Sequence, residues 1–292
     1  MKNVIAVLLG SCLLLGEVSV MAAQEKSEET TPPPKVLSIF REFLKPGKGG
    51  SPHEKAESAF VQAFARAKWP THYLTVTSVT GKPRALFLTG YDSFDAWEKD
   101  VKAVEKNSAL SATLDRAAIA DGDLLSDADA SALVYSEEYS LRAPVDIPHM
   151  RYFEISLFQL RPGHYKEWDE AVKLVMKAYE KIPDAHWATY ELMYGQQGQA
   201  FVIFTPLKSA AEIDRGFDQN KQFMAAMGED GMKRLSELES AAVESRQTNL
   251  FAFSPKMSYV PDEWVKADPD FWKPKSMGAA AGKAAEKPAA NQ

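Results

Sequence analysis

Two stretches of the chain carry the same order of apolar and polar positions. The first opens with the β-rich run Val36-Leu37-Ser38-Ile39-Phe40-Arg41-Glu42-Phe43-Leu44, then Lys45-Pro46-Gly47. The second opens with Tyr152-Phe153-Glu154-Ile155-Ser156-Leu157-Phe158-Gln159-Leu160, then Arg161-Pro162-Gly163, at an offset of 116 residues. A helix follows each run. Ala56, Phe60, Ala63, Phe64 and Ala67 form one apolar stripe, and Trp168, Val172, Val175, Met176 and Tyr179 form the other. Hairpins come next, from His72–Val79 to Ala85–Thr89 and from His186–Met193 to Ala200–Thr205, with glycine-bearing turns between their arms. A second helix starts at Ser93 in one half. In the other it starts at Ser209, where Ser209-Ala210-Ala211-Glu212 fits a capping box. Helical sequence continues through Asn107–Ala120 and Asn220–Ala242, and last strands are predicted at about 132–141 and 244–253.

The order is β-α-β-β-α-β twice, which predicts an α+β chain of two tandem ferredoxin-like (βαββαβ) repeats. Each such sheet has helices on one face only, so packing the two bare faces together satisfies both. The expected result is a pseudo-dimeric α+β barrel with its helices outside. The repeats are placed at 36–143 and 150–255, joined by a linker at 144–149. Residues 256–275 form an aromatic clasp around Tyr259, Trp264, Phe271 and Trp272, whose rings need a surface to cover.

The ends have a different composition. Residues 1–23 join a short basic start to an apolar run and small residues, which predicts a secretory signal cut near Ala22 or Ala23. Leu9-Gly10-Ser11-Cys12 has the form of a lipoprotein box, but it lies so near Met1 that ordinary cleavage is the favoured reading. A polar linker at 24–35 ends in Pro32-Pro33-Pro34, and 276–292 is an Ala/Gly/Lys/Pro tail with nothing to bury. The mature protein is thus expected to be exported, without a transmembrane segment.

The order β-run, Pro-Gly, amphipathic helix, hairpin and Ser-initiated helix resembles the dimeric α+β barrel superfamily in tandem form, near the antibiotic-biosynthesis-monooxygenase and NIPSNAP-like families. The resemblance covers most of residues 36–255. It implies the barrel fold, and it allows activities ranging from cofactor-free oxygenases to haem binders, so fold alone leaves function open.

Composition narrows the chemistry. The single cysteine, Cys12, lies in the leader, so disulfides, thiol nucleophiles and thiolate-held metals are excluded from the mature chain. A formal net charge of -6 with no basic block argues against nucleic acid. His72 and His186 stand at matching strand starts and, with Glu191, are the candidates for proton transfer. Arg41, Glu42, Glu154 and Glu191 are charges inside predicted strands, where a charge needs a partner or marks a site.

Tyr73, Thr75 and Thr77 share one strand face, and Trp187 and Thr189 another; with Arg41 they are the candidate ligand-binding residues. His53, His149 and His164 are placed in turns or linkers. His53-Glu54 lacks the second histidine of a zinc-protease motif, Glu57 standing in its place, and no metal site is assigned. Asp121, Asp123, Asp127 and Asp129 are read as a solvated acidic loop without calcium-loop order.

The favoured expectation is an exported protein that binds a small, mainly apolar or aromatic molecule between helices and sheet, as a monomer or weak homodimer. Two alternatives stay open: a cofactor-free or haem-dependent oxygenase or isomerase, and a non-catalytic envelope interaction protein. No cofactor is evident, and haem remains open.

Overall fold

The computed structural model describes residues 30–273. The expected leader, residues 24–29 of the linker and the 276–292 tail lie outside the described residues. The first half runs β1 (Val36–Leu44), α1 (Ser51–Ala67), β2 (Tyr73–Ser78), β3 (Arg84–Tyr91), α2 (Phe94–Lys106), α3 (Ser108–Gly122) and β4 (Leu125–Leu141). The second runs β5 (Tyr152–Leu160), α4 (Tyr165–Tyr179), β6 (Trp187–Tyr194), β7 (Ala200–Leu207), α5 (Ala211–Ala242) and β8 (Val243–Phe253). Two short helices, α6 (Asp262–Ala267) and α7 (Pro269–Trp272), follow.

The eight strands of the described residues close into one antiparallel barrel in the order β1-β3-β2-β8-β5-β7-β6-β4. Closure leaves no sheet edge unpaired, which removes the usual site of edge-to-edge association. Alternation along each strand decides what faces where. Leu37, Ile39, Leu74, Val76, Phe153, Ile155, Phe204 and Phe251 fill the barrel interior. Their strand neighbours point outward under the helices.

The seams between the halves, β2–β8 and β4–β6, are fastened in the same way. Thr75 donates its hydroxyl to Met257 O at 2.7 Å, and its N–H to Ser258 Oγ, which in turn donates to Ser254 O. Thr189 donates its hydroxyl to Tyr139 O at 2.7 Å, and its N–H to Ser140 Oγ, which in turn donates to Ser136 O. A threonine suits both places because its hydroxyl supplies the donor that a buried backbone carbonyl across the seam needs.

Several local expectations change. β4 begins at Leu125, so Asp127 and Asp129 lie in a strand, because β4 keeps pairing with β1 as far as Leu44. Asp121 is buried at the end of α3, not solvated. The second helix of the first half breaks at Asn107, whose side chain caps α3 by accepting from Leu110 N–H. Its counterpart α5 continues through a kink at Gly228, where φ is 66°. Ser93 caps α2 by accepting from Ala96 N–H, but α5 has no side-chain cap: Glu212 instead accepts the Lys208 N–H.

Candidate functional site

On the outward face of the first half, Glu42 stands between Ala85 on β3 and Ala128 on β4. Those two small neighbours leave a hollow over β1, and α1 and α3 fill it with ionisable groups. His53 and Glu57 lie four residues apart on α1, which puts them on one helix face. Asp121 enters from the last turn of α3. All four side chains are buried, with relative exposures of 5% for Glu42, 1% for His53, 3% for Glu57 and 2% for Asp121.

The His53 Nε2 lies 2.8 Å from Glu42 Oε2 and 3.6 Å from Asp121 Oδ1. One ligand-type atom from each of the four residues falls within 4.8 Å of all the others. Among the described residues, Glu57 Oε1 and Asp121 Oδ1 have no hydrogen-bond partner, and neither has the buried Tyr73 hydroxyl. Burial, then the charges of Glu42 and Asp121, push the Glu57 carboxyl up to about 9. Burial and Glu42 push Asp121 up to about 6, with His53 pulling it back. Tyr73 is raised by burial first, then by Glu57 and Glu42.

The sequence flagged Glu42 as a charge in a strand and placed His53 in a turn. His53 instead sits in the first turn of α1, and the partners that give it meaning come from two other elements. The only local signal was the His-x-x-x-Glu spacing of His53 and Glu57, which puts two ligand types on one helix face but is common by chance.

The second half has a different interior. Its outward face carries Glu154, Ser156 and Phe158 on β5, Phe201, Ile203 and Thr205 on β7, and Arg246 and Thr248 on β8. A cavity of about 1230 Å3 lies between this face, α4 and α5. Phe158, Trp168, Val172, Val175, Tyr179, Ile203 and Phe223 supply apolar wall, and Glu154, Thr205 and Arg246 supply polar points. The Arg246 guanidinium lies 4.9 Å from the Phe158 ring centroid. Trp168 Nε1 is buried without a partner. A second cavity, of about 760 Å3, opens at one end of the barrel, between the Pro32-Pro33-Pro34 segment and Val260–Trp264.

The residues singled out from the sequence are divided: His186, Trp187 and Thr189 line the larger cavity, His72 and Tyr73 the barrel-end one, and the rest lie elsewhere. His72 stacks on Tyr259 at 4.7 Å and lines the barrel-end cavity. His186 lines the larger cavity, with Nδ1 3.0 Å from Asp184 O and Nε2 2.9 Å from Pro206 O. Glu191 accepts from Gln199, which lies just before β7, and Arg41 pairs with Asp129. Tyr73 lies beside the buried carboxyl cluster, packed against Phe64. Thr75 and Thr189 have their hydroxyls committed to the seams, although Thr189 and Trp187 still line the larger cavity. Thr77 faces outward opposite Ala85.

No protein-family model matches the chain, and no curated protein does. Among solved structures, an anthrone oxidase-like protein aligns with a TM-score of 0.48 and 13% identity over 75% of this chain and 92% of its own. A chlorite dismutase variant from Candidatus Nitrospira defluvii gives 0.45 and 8% over 80% and 95%. A heme-binding protein from Thermus thermophilus gives 0.43 and 12% over 82% and 97%. These are likenesses of architecture, and none carries an activity to this chain.

Proposed function

We propose that the protein binds a small, mainly apolar molecule in the cavity between α4, α5 and the outward face of β5–β8. The observation that carries this reading is the cavity of about 1230 Å3, whose lining is more apolar than polar, with rings and aliphatic side chains facing charged groups that include Arg142, Asp146, Glu212, Arg215 and Arg246. Arg246 and the unpartnered Trp168 N–H are suited to hold an acceptor group of the ligand, while Phe158, Val172 and Val175 cover its apolar body.

Haem, which the superfamily resemblance raises, does not fit this cavity through an imidazole ligand. Among the described lining residues the one histidine is His186, and both of its ring nitrogens already face backbone carbonyls. In the same reading the two halves descend from one ferredoxin-like module, supported by the matched fastenings at Thr75 and Thr189. One chain then supplies both sheets and acts as a monomer or weak homodimer. The leader over 1–23 supports export, which N-terminal sequencing of the mature protein tests by a start at Ala23 or Gln24.

The ligand reading is tested by thermal-shift screening of the mature chain against small aromatic and lipidic compounds. At least one compound should raise the melting temperature, and Val175→Trp, which fills the cavity, should abolish the rise. Uniformly flat melting temperatures reject the reading.

A further inference from the structure

The buried carboxyl cluster of the first half needs its own explanation. Fully ionised, Glu42, Glu57 and Asp121 would place three negative charges beside one imidazole in a site closed to water. Burying that charge unmatched is far more costly than any hydrogen bond inside it repays. Protons on Glu57 and Asp121 reduce the charge, yet among the described residues they leave Glu57 Oε1 without a hydrogen-bond partner and Asp121 Oδ1 with only the His53 Nε2 contact at 3.6 Å. Native proteins rarely leave such oxygens unmatched without a reason.

The fold does not require the cluster. The matching face of the second half closes with Phe158, Phe201 and Trp168 packed ring on ring, with Phe158–Trp168 centroids at 5.1 Å and Trp168–Phe201 at 5.2 Å. An apolar filling therefore suits this architecture, and buried charge is weak evidence for a purely stabilising role.

We propose that Glu42, His53, Glu57 and Asp121 bind one divalent first-row transition ion, of the manganese, iron or zinc class. Four convergent donors, all within 4.8 Å of one another, can meet a cation after small side-chain rotations. One imidazole among carboxylate oxygens suits these ions better than calcium or magnesium, which take oxygen-only sets. The cation gives the two unmatched oxygens a partner, and His53 takes the ion through Nε2. Tyr73, on β2 beside the cluster, supplies a hydroxyl that can donate to a ligand carboxylate and fix its orientation. Because the site is closed over by α1 and α3, the ion enters as these helices dock, so loading accompanies folding.

The test refolds the mature chain from guanidinium, once with EDTA and once each with Mn2+, anaerobic Fe2+ or Zn2+. Metal content is measured after desalting, together with the melting temperature. The expected result is about one equivalent of at least one ion per chain, with a melting temperature above that of the EDTA sample. The double variant Glu57→Gln/Asp121→Asn keeps the side-chain shapes and should lower retained metal at least about tenfold. Less than about a tenth of an equivalent for every ion in the wild-type chain overturns the proposal, as does undiminished content in the double variant. A check that needs no variant uses Co2+ as the probe. Visible d–d bands distinct from aqueous cobalt support the site, and one bound equivalent with the aqueous spectrum overturns it.

Discussion

The helix–sheet layer over β1–β4 closes on four ionisable side chains, whereas the layer over β5–β8 is walled with rings and left open. Both halves present the same strand to their helices. Glu42 and Phe158 hold corresponding places on β1 and β5, and each lies opposite the second residue of its hairpin's return strand, Ala85 or Phe201. The first helical turn then covers the pair, with His53 over Glu42 and Trp168 over Phe158. Ring against ring fills one layer near its strand ends and lets the rest of α4 and α5 stand away from the sheet. Alanine beside glutamate leaves a hollow that only polar groups from α1 and α3 complete. One architecture has thus been given a polar and an apolar interior by a few side-chain volumes.

The comparison can be broken from either side. The largest effect is expected from Trp168→Ala, which removes the ring stacked on Phe201 and should destabilise the protein by about 3–5 kcal/mol in denaturant titration. A cost below about 1 kcal/mol would mean that the rings do not hold the second half. Next, His53→Leu in metal-free protein should cost about 3 kcal/mol, because it strips the Glu42 carboxylate of its partner in a closed site. A variant as stable as the parent would show that the cluster is held together by protons alone.

Thr75→Val should cost about 1–3 kcal/mol, by leaving the Met257 carbonyl without its hydroxyl donor. Thr189→Val should cost less, about 1 kcal/mol, because Trp187 Nε1 still donates to the Tyr139 carbonyl at 2.8 Å. A larger loss at Thr189 than at Thr75 would show that the two seams are not held by these hydroxyls alone.

The smallest effect per step is a pH slope that only the first half should show. Glu57 holds its proton up to about 9 in the folded, metal-free chain, against 4.5 in the unfolded one. The folded state therefore binds the extra proton between those values. This contribution to stability is complete below 4.5 and is lost as pH rises towards 9. Asp121, raised from 3.8 to about 6, acts in the same direction over its own lower window. The Glu57→Gln variant should flatten the wild-type curve by no more than about 1.4 kcal/mol per pH unit. Parallel curves would remove Glu57 from the account.

Much of the fold was legible because period-two and period-3.6 patterns are local. Val36–Leu44 and Tyr152–Leu160 read as strands from their own alternation, and Ser93 read as a helix start from its hydroxyl and position. Errors fell where pairing partners decide. The acidic stretch around Asp127 joins β4 because β1 is long enough to pair with it. Glu212 turns to the Lys208 N–H where Ser209 was expected to share a capping box. Thr75 and Thr189 were marked by their face on the strand, but whether that face met a ligand or a seam depended on chain far away in sequence.

By itself the sequence determined the α+β class, most of the order of elements and the charge of Glu42 inside a strand. These follow from spacing along one chain and from side-chain chemistry that does not depend on neighbours. Only the tertiary structure decided that His53, Glu57 and Asp121 converge on that charge, and that α4 and α5 stand clear of the opposite face. Convergence of separate elements depends on barrel closure and on the volumes of facing side chains, and no local pattern encodes either.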